Sequence, residues 1–195
     1  RRSEHSVSLV ADRLTRLFRF IIKRPVAASF IIALLARFIF IAASKVLNEG
    51  LLVPDESQYL EIAEAAATGL LSPDFWPGYG QALFDSLKTF TWPLSALFWL
   101  FGSHHLLGQL LAALYGAITA SVTAALGVRL LSRPYALVAG LTVALFPSQI
   151  FWSSAVLRES LIWMLLATIA LVVEFSQRKL QRNQLLLATV AMTLL

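Results

Sequence analysis

The chain has 195 residues, of which 58% are hydrophobic and only 14% charged, against about 45–50% apolar and about 25% charged in a soluble domain. That balance excludes a free cytosolic enzyme, a disordered tail and a small secreted scaffold, and the absence of Cys excludes disulfides, thiol catalysis and Cys-ligated metal. A net charge of +5 and a pI near 10.0 would suit a nucleic-acid binder, but the cations are sorted along the chain around apolar runs, which argues for membrane and against nucleic acid.

Residues 1–25 carry seven Lys/Arg (Arg1, Arg2, Arg13, Arg16, Arg19, Lys23 and Arg24) against Glu4 and Asp12. Val7, Val10, Leu14, Leu17 and Ile21 recur at helical spacing among them. This pattern predicts a basic amphipathic helix lying on the inner leaflet. The run 26–46 follows, and about 20 apolar residues suffice to cross a bilayer. Within it Arg37 lies nine residues before Val46, roughly 13 Å from the outer end. An Arg at a helix centre costs about 2.5–3.5 kcal/mol on insertion scales. A buried anion would offset that cost, either a carboxylate such as Asp55 or a lipid phosphate held bidentately.

Residues 47–105 hold seven acids (Glu49, Asp55, Glu56, Glu61, Glu64, Asp74 and Asp85) against Lys88. Pro54-Asp55-Glu56-Ser57-Gln58 reads as a helix start, with Asp55 as the capping side chain and Gln58 at the capping-box position. The helix should run to about Thr68, with Gly69 ending it. The loop 72–81 (SPDFWPGYGQ) combines Pro, Gly and aromatics, as an interfacial anchor or a surface that stacks on a sugar. The run 92–101 (WPLSALFWLF) is too short to cross and predicts a juxtamembrane helix. His104 and His105 read as a solvated pair in a turn.

Further spans are predicted over 106–130, 134–153 and 157–175. Arg129 and Arg133 mark one turn between them, and Arg178, Lys179 and Arg182 mark the next loop. Basic loops stay cytoplasmic, so these and the N-terminus share the cytoplasmic side and the acidic segment 47–105 lies outside. Counting 92–101 as a span would reverse Arg129 and Arg133. Glu159, after Arg158, then falls at the outer interface, as an interfacial charge or a functional acid. Trp152 and Trp163 read as interface and core residues of the bundle. A fifth apolar run starts near Gln184 and is still apolar at Leu195, so the chain reads as the N-terminal piece of a longer membrane protein. The expected fold is all-α: a polytopic transmembrane helix bundle with extracytoplasmic juxtamembrane helices. Residues 1–25 form the cytoplasmic basic helix and 26–195 the membrane module, with its first outer loop at about 47–105.

Together these residues resemble the N-terminal third of the GT-C superfamily of membrane glycosyltransferases, in particular the dolichyl-phosphate-mannose–protein mannosyltransferases and the bacterial aminoarabinose transferases. The resemblance rests on Arg37 in the first span and on the acidic pair in Pro54-Asp55-Glu56 with Tyr59 and Ala63 (PDExxYxxxA). It rests also on the juxtamembrane segments and on the second acid after a span ending in Phe-Pro (FPSQIFWSSAVLRES). This chain has Glu159 where the family often has Asp.

The resemblance implies transfer of a sugar from a polyprenyl-phosphate donor to an acceptor on the extracytoplasmic side. Asp55 would act as the base or orient the acceptor. Glu56 would share that role or bind Mg²⁺ or Mn²⁺ together with Glu159. Arg37, Lys88, Arg158 and His104 or His105 would hold the lipid phosphate, with Tyr59 beside the acidic pair. Two other classes stay open. A transporter or channel would use Arg37 and Glu159 along an ion path and would show discontinuous helices. A non-catalytic membrane scaffold would use Asp55 only as a cap.

Overall fold

A computed structural model describes residues 21–47, 51–69, 80–176 and 190, with side chains described outside 80–86. Among these residues every regular element is an α-helix. The helices are α1 (Pro25–Leu47), α2 (Glu56–Ala67), α3 (Gly80–Phe101), α4 (His105–Leu130), α5 (Arg133–Leu145), α6 (Pro147–Trp152) and α7 (Glu159–Ser176). The expected all-α bundle is thus the observed one. Most of the basic segment 1–25, the loop 72–79 and the run from Gln184 lie outside the described residues.

Helix α4 is the hub. Helices α1, α5 and α7 pack against it, α1 also packs on α5, and α2 lies on α3. The sequence of α4 explains the close approach: Gly108, Ala112, Gly116, Ala120 and Ala124 recur every fourth residue, and all are buried. A Cβ at Gly116 would run into the Arg37 guanidinium and Ser153, and one at Gly108 into Val156. On α5, a Cβ at Gly140 would strike Ser29 of α1 and Ala124 of α4. Small residues at four-residue spacing let helix backbones approach closely where lipid supplies no hydrophobic driving force. Ser29 packs near Ala124 and Arg37 near Gly116, so α1 and α4 run antiparallel.

Among the described residues three helices are long and apolar enough to cross a membrane: α1 with mean hydropathy 2.4, and α4 and α7 with 1.7 each. Their bounds fall within two residues of the predicted spans 26–46, 106–130 and 157–175. Ile31, Leu35, Phe38 and Ile39 of α1 are exposed, as lipid-facing side chains would be.

Two expectations are corrected. The run 134–153 is not one helix: α5 stops at Leu145, and α6 restarts at Pro147 and lasts 6 residues. Proline removes an amide and disfavours helical geometry at the residue before it, and Phe146 is extended (φ −65, ψ 123). With 13 residues, α5 is roughly 20 Å long, short of a hydrocarbon core of about 30 Å. The run 92–101 is also not a separate ten-residue helix. It is the second half of the 22-residue α3, which carries Pro93 inside it and ends before Gly102 at φ +85. Leu87, Phe90, Leu94 and Phe98 line its buried face, and with Tyr59, Ile62 and Ala63 of α2 they belong to one core cluster. Trp92, Trp99, Leu100 and Phe101 are exposed on α3.

Candidate functional site

The site is assembled where the start of α2, the start of α4 and the segment 153–158 meet. Ser153 to Leu157 are all buried, although they belong to no helix of the bundle. Two charged side chains from distant parts of the chain hold that segment.

The first is Glu56, at the start of α2 and fully buried. One carboxyl oxygen accepts the Leu52 N–H at 2.8 Å. The other accepts the Val156 N–H at 2.6 Å, across 100 residues of sequence. His105 Nε2 lies 3.5 Å from Oε2, close enough for an ion pair when the imidazole is protonated. Burial alone would raise the carboxyl pKa; the neighbouring imidazole and the two backbone N–H groups outweigh it and hold the group below the usual carboxylate range. Glu56 is therefore a strut between α2 and the segment before α7. The expectation that it would serve as a base or share a cation with Glu159 meets a buried carboxylate with both oxygens committed to backbone amides. Among the described residues no group of three or more His, Asp or Glu side chains is gathered as a metal site.

The second is Arg37, buried in α1. Its Nε donates to Ser153 Oγ at 2.6 Å. Its Nη1 donates to the carbonyls of Ala33 at 2.9 Å and Ala144 at 3.2 Å. Ser153 Oγ in turn donates to the Gln149 carbonyl. The Ala144 carbonyl lies next to the break between α5 and α6, so Arg37 serves backbone that the interrupted helix leaves open. The expected ion pair with Asp55 is not formed: the partners of Arg37 are a hydroxyl and two carbonyls, and its Nη2 is buried without a hydrogen bond.

With 153–157 held from both sides, Arg158 and Glu159 are presented beside Tyr59. This tyrosine is the fourth residue of α2; it is buried, with its ring edge-on to Phe90 at 5.6 Å. Its hydroxyl is pushed up to about 12, chiefly by burial and then by the Glu159 carboxylate, with Asp55 adding to the shift. Arg158 opposes it through its charge and a hydrogen bond from its backbone. The phenol thus stays protonated at physiological pH, and both Asp55 and Glu159 act on it.

Asp55 is exposed and makes no side-chain cap hydrogen bond; its backbone is already helical (φ −66, ψ −20). The predicted cap and capping box are therefore absent. The turn is closed instead by the Gln58 N–H to the Asp55 carbonyl at 3.2 Å and the Ser57 hydroxyl to the Pro54 carbonyl at 2.9 Å. The far end follows expectation, with Thr68 closing α2 and Gly69 at φ +71. Glu159 opens α7 and is partly buried, with Oε2 lacking a hydrogen bond. His104 is exposed and makes no side-chain cap hydrogen bond, while Lys88 is exposed on α3. Of the adjacent histidines, it is His105 that meets Glu56.

Sequence reasoning did not single out Ser153, the Val156 amide or His105 as Glu56's neighbour. The four-residue repeat of small residues on α4 was a legible sign of close packing; the partners it admits were not. Comparison of the chain with protein-family models, with curated proteins and with solved structures finds no match. Chemically, the site offers an exposed carboxylate, a second acid with an unpaired oxygen, a neutral phenol and a guanidinium at one helix mouth.

Proposed function

We propose that the protein is an integral-membrane glycosyltransferase of the GT-C type, working on a polyprenyl-phosphate-linked sugar at its extracytoplasmic side. The observation that supports this reading is Asp55: exposed, not used as a cap, and close enough for its charge, like that of Glu159, to act on the Tyr59 hydroxyl. In the proposed step, Asp55 takes the proton from an acceptor hydroxyl as that oxygen bonds to the anomeric carbon. The bond from that carbon to the donor phosphate oxygen breaks, and the lipid phosphate leaves with the electron pair. Arg158, whose charge acts at Tyr59, is the guanidinium proposed to balance the charge developing there. In this reading Glu159, at the start of α7 with an unpaired Oε2, holds sugar hydroxyls. Tyr59, kept neutral, ties the Arg158 backbone to α2.

The test is a transfer assay with a radiolabelled polyprenyl-phosphate sugar, in membranes of cells expressing the protein from its own gene. Asp55→Asn should lower transfer by roughly 10²–10⁴-fold, the usual contribution of a positioned base, with no change in melting temperature. Full transfer by Asp55→Asn would remove the reading and favour a scaffold.

One observation favours a transporter, the interruption of the helix at Phe146–Pro147, since discontinuous helices form many transport sites. There the backbone opened by a break serves the cargo. Here the Ala144 carbonyl is occupied by Arg37, which favours the transferase.

A further inference from the structure

The opposite end of the bundle carries a second feature that the transferase reading does not use. A groove of about 530 Å³ runs between the start of α1, the last turns of α4 and the start of α5. Its walls are apolar, with Phe30, Ile31 and Val128 among them, and three cations rim it: Lys23, Arg24 and Arg133. All three cations are exposed. The groove lies at the Leu130 end of α4 and the Glu56 strut at its His105 end. The groove's α4 residues, Ser121 and Val128, lie roughly 24–35 Å along the helix from His105, so this is a separate site.

We infer that the groove binds one anionic phospholipid, its phosphate between Lys23, Arg24 and Arg133 and its acyl chain along Phe30, Ile31 and Val128. Charge complementarity selects the occupant. Three cations from two segments distant in sequence meet at the mouth of one apolar trough, and among the described residues no acid lines it. An acyl chain fits the trough and a phosphate complements the positive charge of the rim; a zwitterionic lipid would bring its own cation to the same place. The positive-inside rule assigns this end to the cytoplasmic leaflet, where anionic lipids reside. Basic pockets between membrane helices on that side are suited to such headgroups. A bound lipid would tie the start of α1 to the α4–α5 turn.

The experiment is native mass spectrometry of the purified full chain in detergent, titrated with phosphatidylglycerol, phosphatidylcholine or glycerol 3-phosphate. Phosphatidylglycerol should be retained as one stoichiometric adduct, and the other two should not. Each cation near a membrane surface contributes about fivefold to anionic-lipid binding. Lys23→Gln, Arg24→Gln and Arg133→Gln together should therefore weaken retention roughly a hundredfold. Val128→Trp, which keeps every charge and fills the trough, should weaken it at least about tenfold. Since the rim residues and Val128 are exposed, these variants leave the core intact. Equal retention of phosphatidylglycerol and phosphatidylcholine, undiminished retention by Val128→Trp, or binding of glycerol 3-phosphate as tight as the lipid would each overturn the proposal.

Discussion

Arg37 and Glu56 are both fully buried and opposite in charge, yet they solve burial differently. Glu56 has a backbone N–H on each oxygen and an imidazole alongside. Arg37 spreads over one hydroxyl and two carbonyls and still has an unpaired Nη2. Neither meets the other, and neither is paired as a simple acid–base reading of the sequence would pair it. Glu56 is instead spent on two backbone amides outside the helices, and Arg37 on the Ser153 hydroxyl and the carbonyls of Ala33 and Ala144. A buried charge is costly unless its hydrogen-bonding capacity is filled. The fuller set on Glu56 makes its end of segment 153–158 the firmer one, and the Arg37 end the looser.

That difference can be broken first at Glu56. Glu56→Ala leaves the Leu52 and Val156 amides without their acceptor. Hydrogen bonds to a charged group are worth about 1.5–3 kcal/mol each, so the loss should be roughly 3–5 kcal/mol, measured by thermal unfolding in detergent. Its pH dependence has a definite sign. The folded-state pKa of Glu56 lies below its unfolded value, so the native state holds fewer protons than the unfolded chain between the two. The stabilisation is complete above the usual carboxylate range and is lost as pH falls through the lowered folded value. The gap in melting temperature between wild type and Glu56→Gln should therefore be flat near neutral pH and shrink only below that range.

Arg37→Met should cost less, about 2–3 kcal/mol. It strips donors from Ser153 and the Ala144 carbonyl, but it also removes a buried charge whose Nη2 is unsatisfied. A loss larger than that of Glu56→Ala would reverse the comparison. Gly116→Ala should be smaller again, about 1–2 kcal/mol, the range for adding one methyl group to a close-packed contact. The new Cβ must displace the Arg37 guanidinium or Ser153. The effect of Gly116→Ala should be reduced but not abolished in an Arg37→Met background, because the clash with Ser153 remains.

These expectations show what the sequence carried and what it did not. Helices α1, α4 and α7 were legible because a lipid-facing helix needs only length and apolarity, both local properties. The end of α2 at Gly69 was legible for the same local reason. Pro147 stood in plain view, yet the apolar run around it reads as continuous, and hydropathy is blind to a missing amide. The second half of α3 stood out as a ten-residue run because Asp85 and Lys88 dilute the first half. The role of Glu56 could not be read, because its partner is a backbone amide 100 residues away and an amide has no sequence signature. The residues alone read Asp55 as a helix cap, and the resemblance made it the base, with Glu56 sharing that role or holding a cation with Glu159. The geometry leaves Asp55 out of the cap and binds Glu56 into the frame.

The proposed site requires this frame to set Asp55 and Glu159 near one another beside Tyr59, the phenol on which both charges act. Since the chain has no Cys, the double variant Asp55→Cys, Glu159→Cys can be probed with a short bifunctional thiol-reactive cross-linker, such as a bis-methanethiosulfonate, on an otherwise thiol-free protein. Acids that work on opposite sides of one sugar stand roughly 6.5–9.5 Å apart, and a linker of that span should close the pair efficiently in membranes. The double variant Asp55→Cys, Arg133→Cys, with its positions at opposite ends of the bundle, should stay open. Failure of the first pair to cross-link, in a protein that still melts like wild type, would contradict the account.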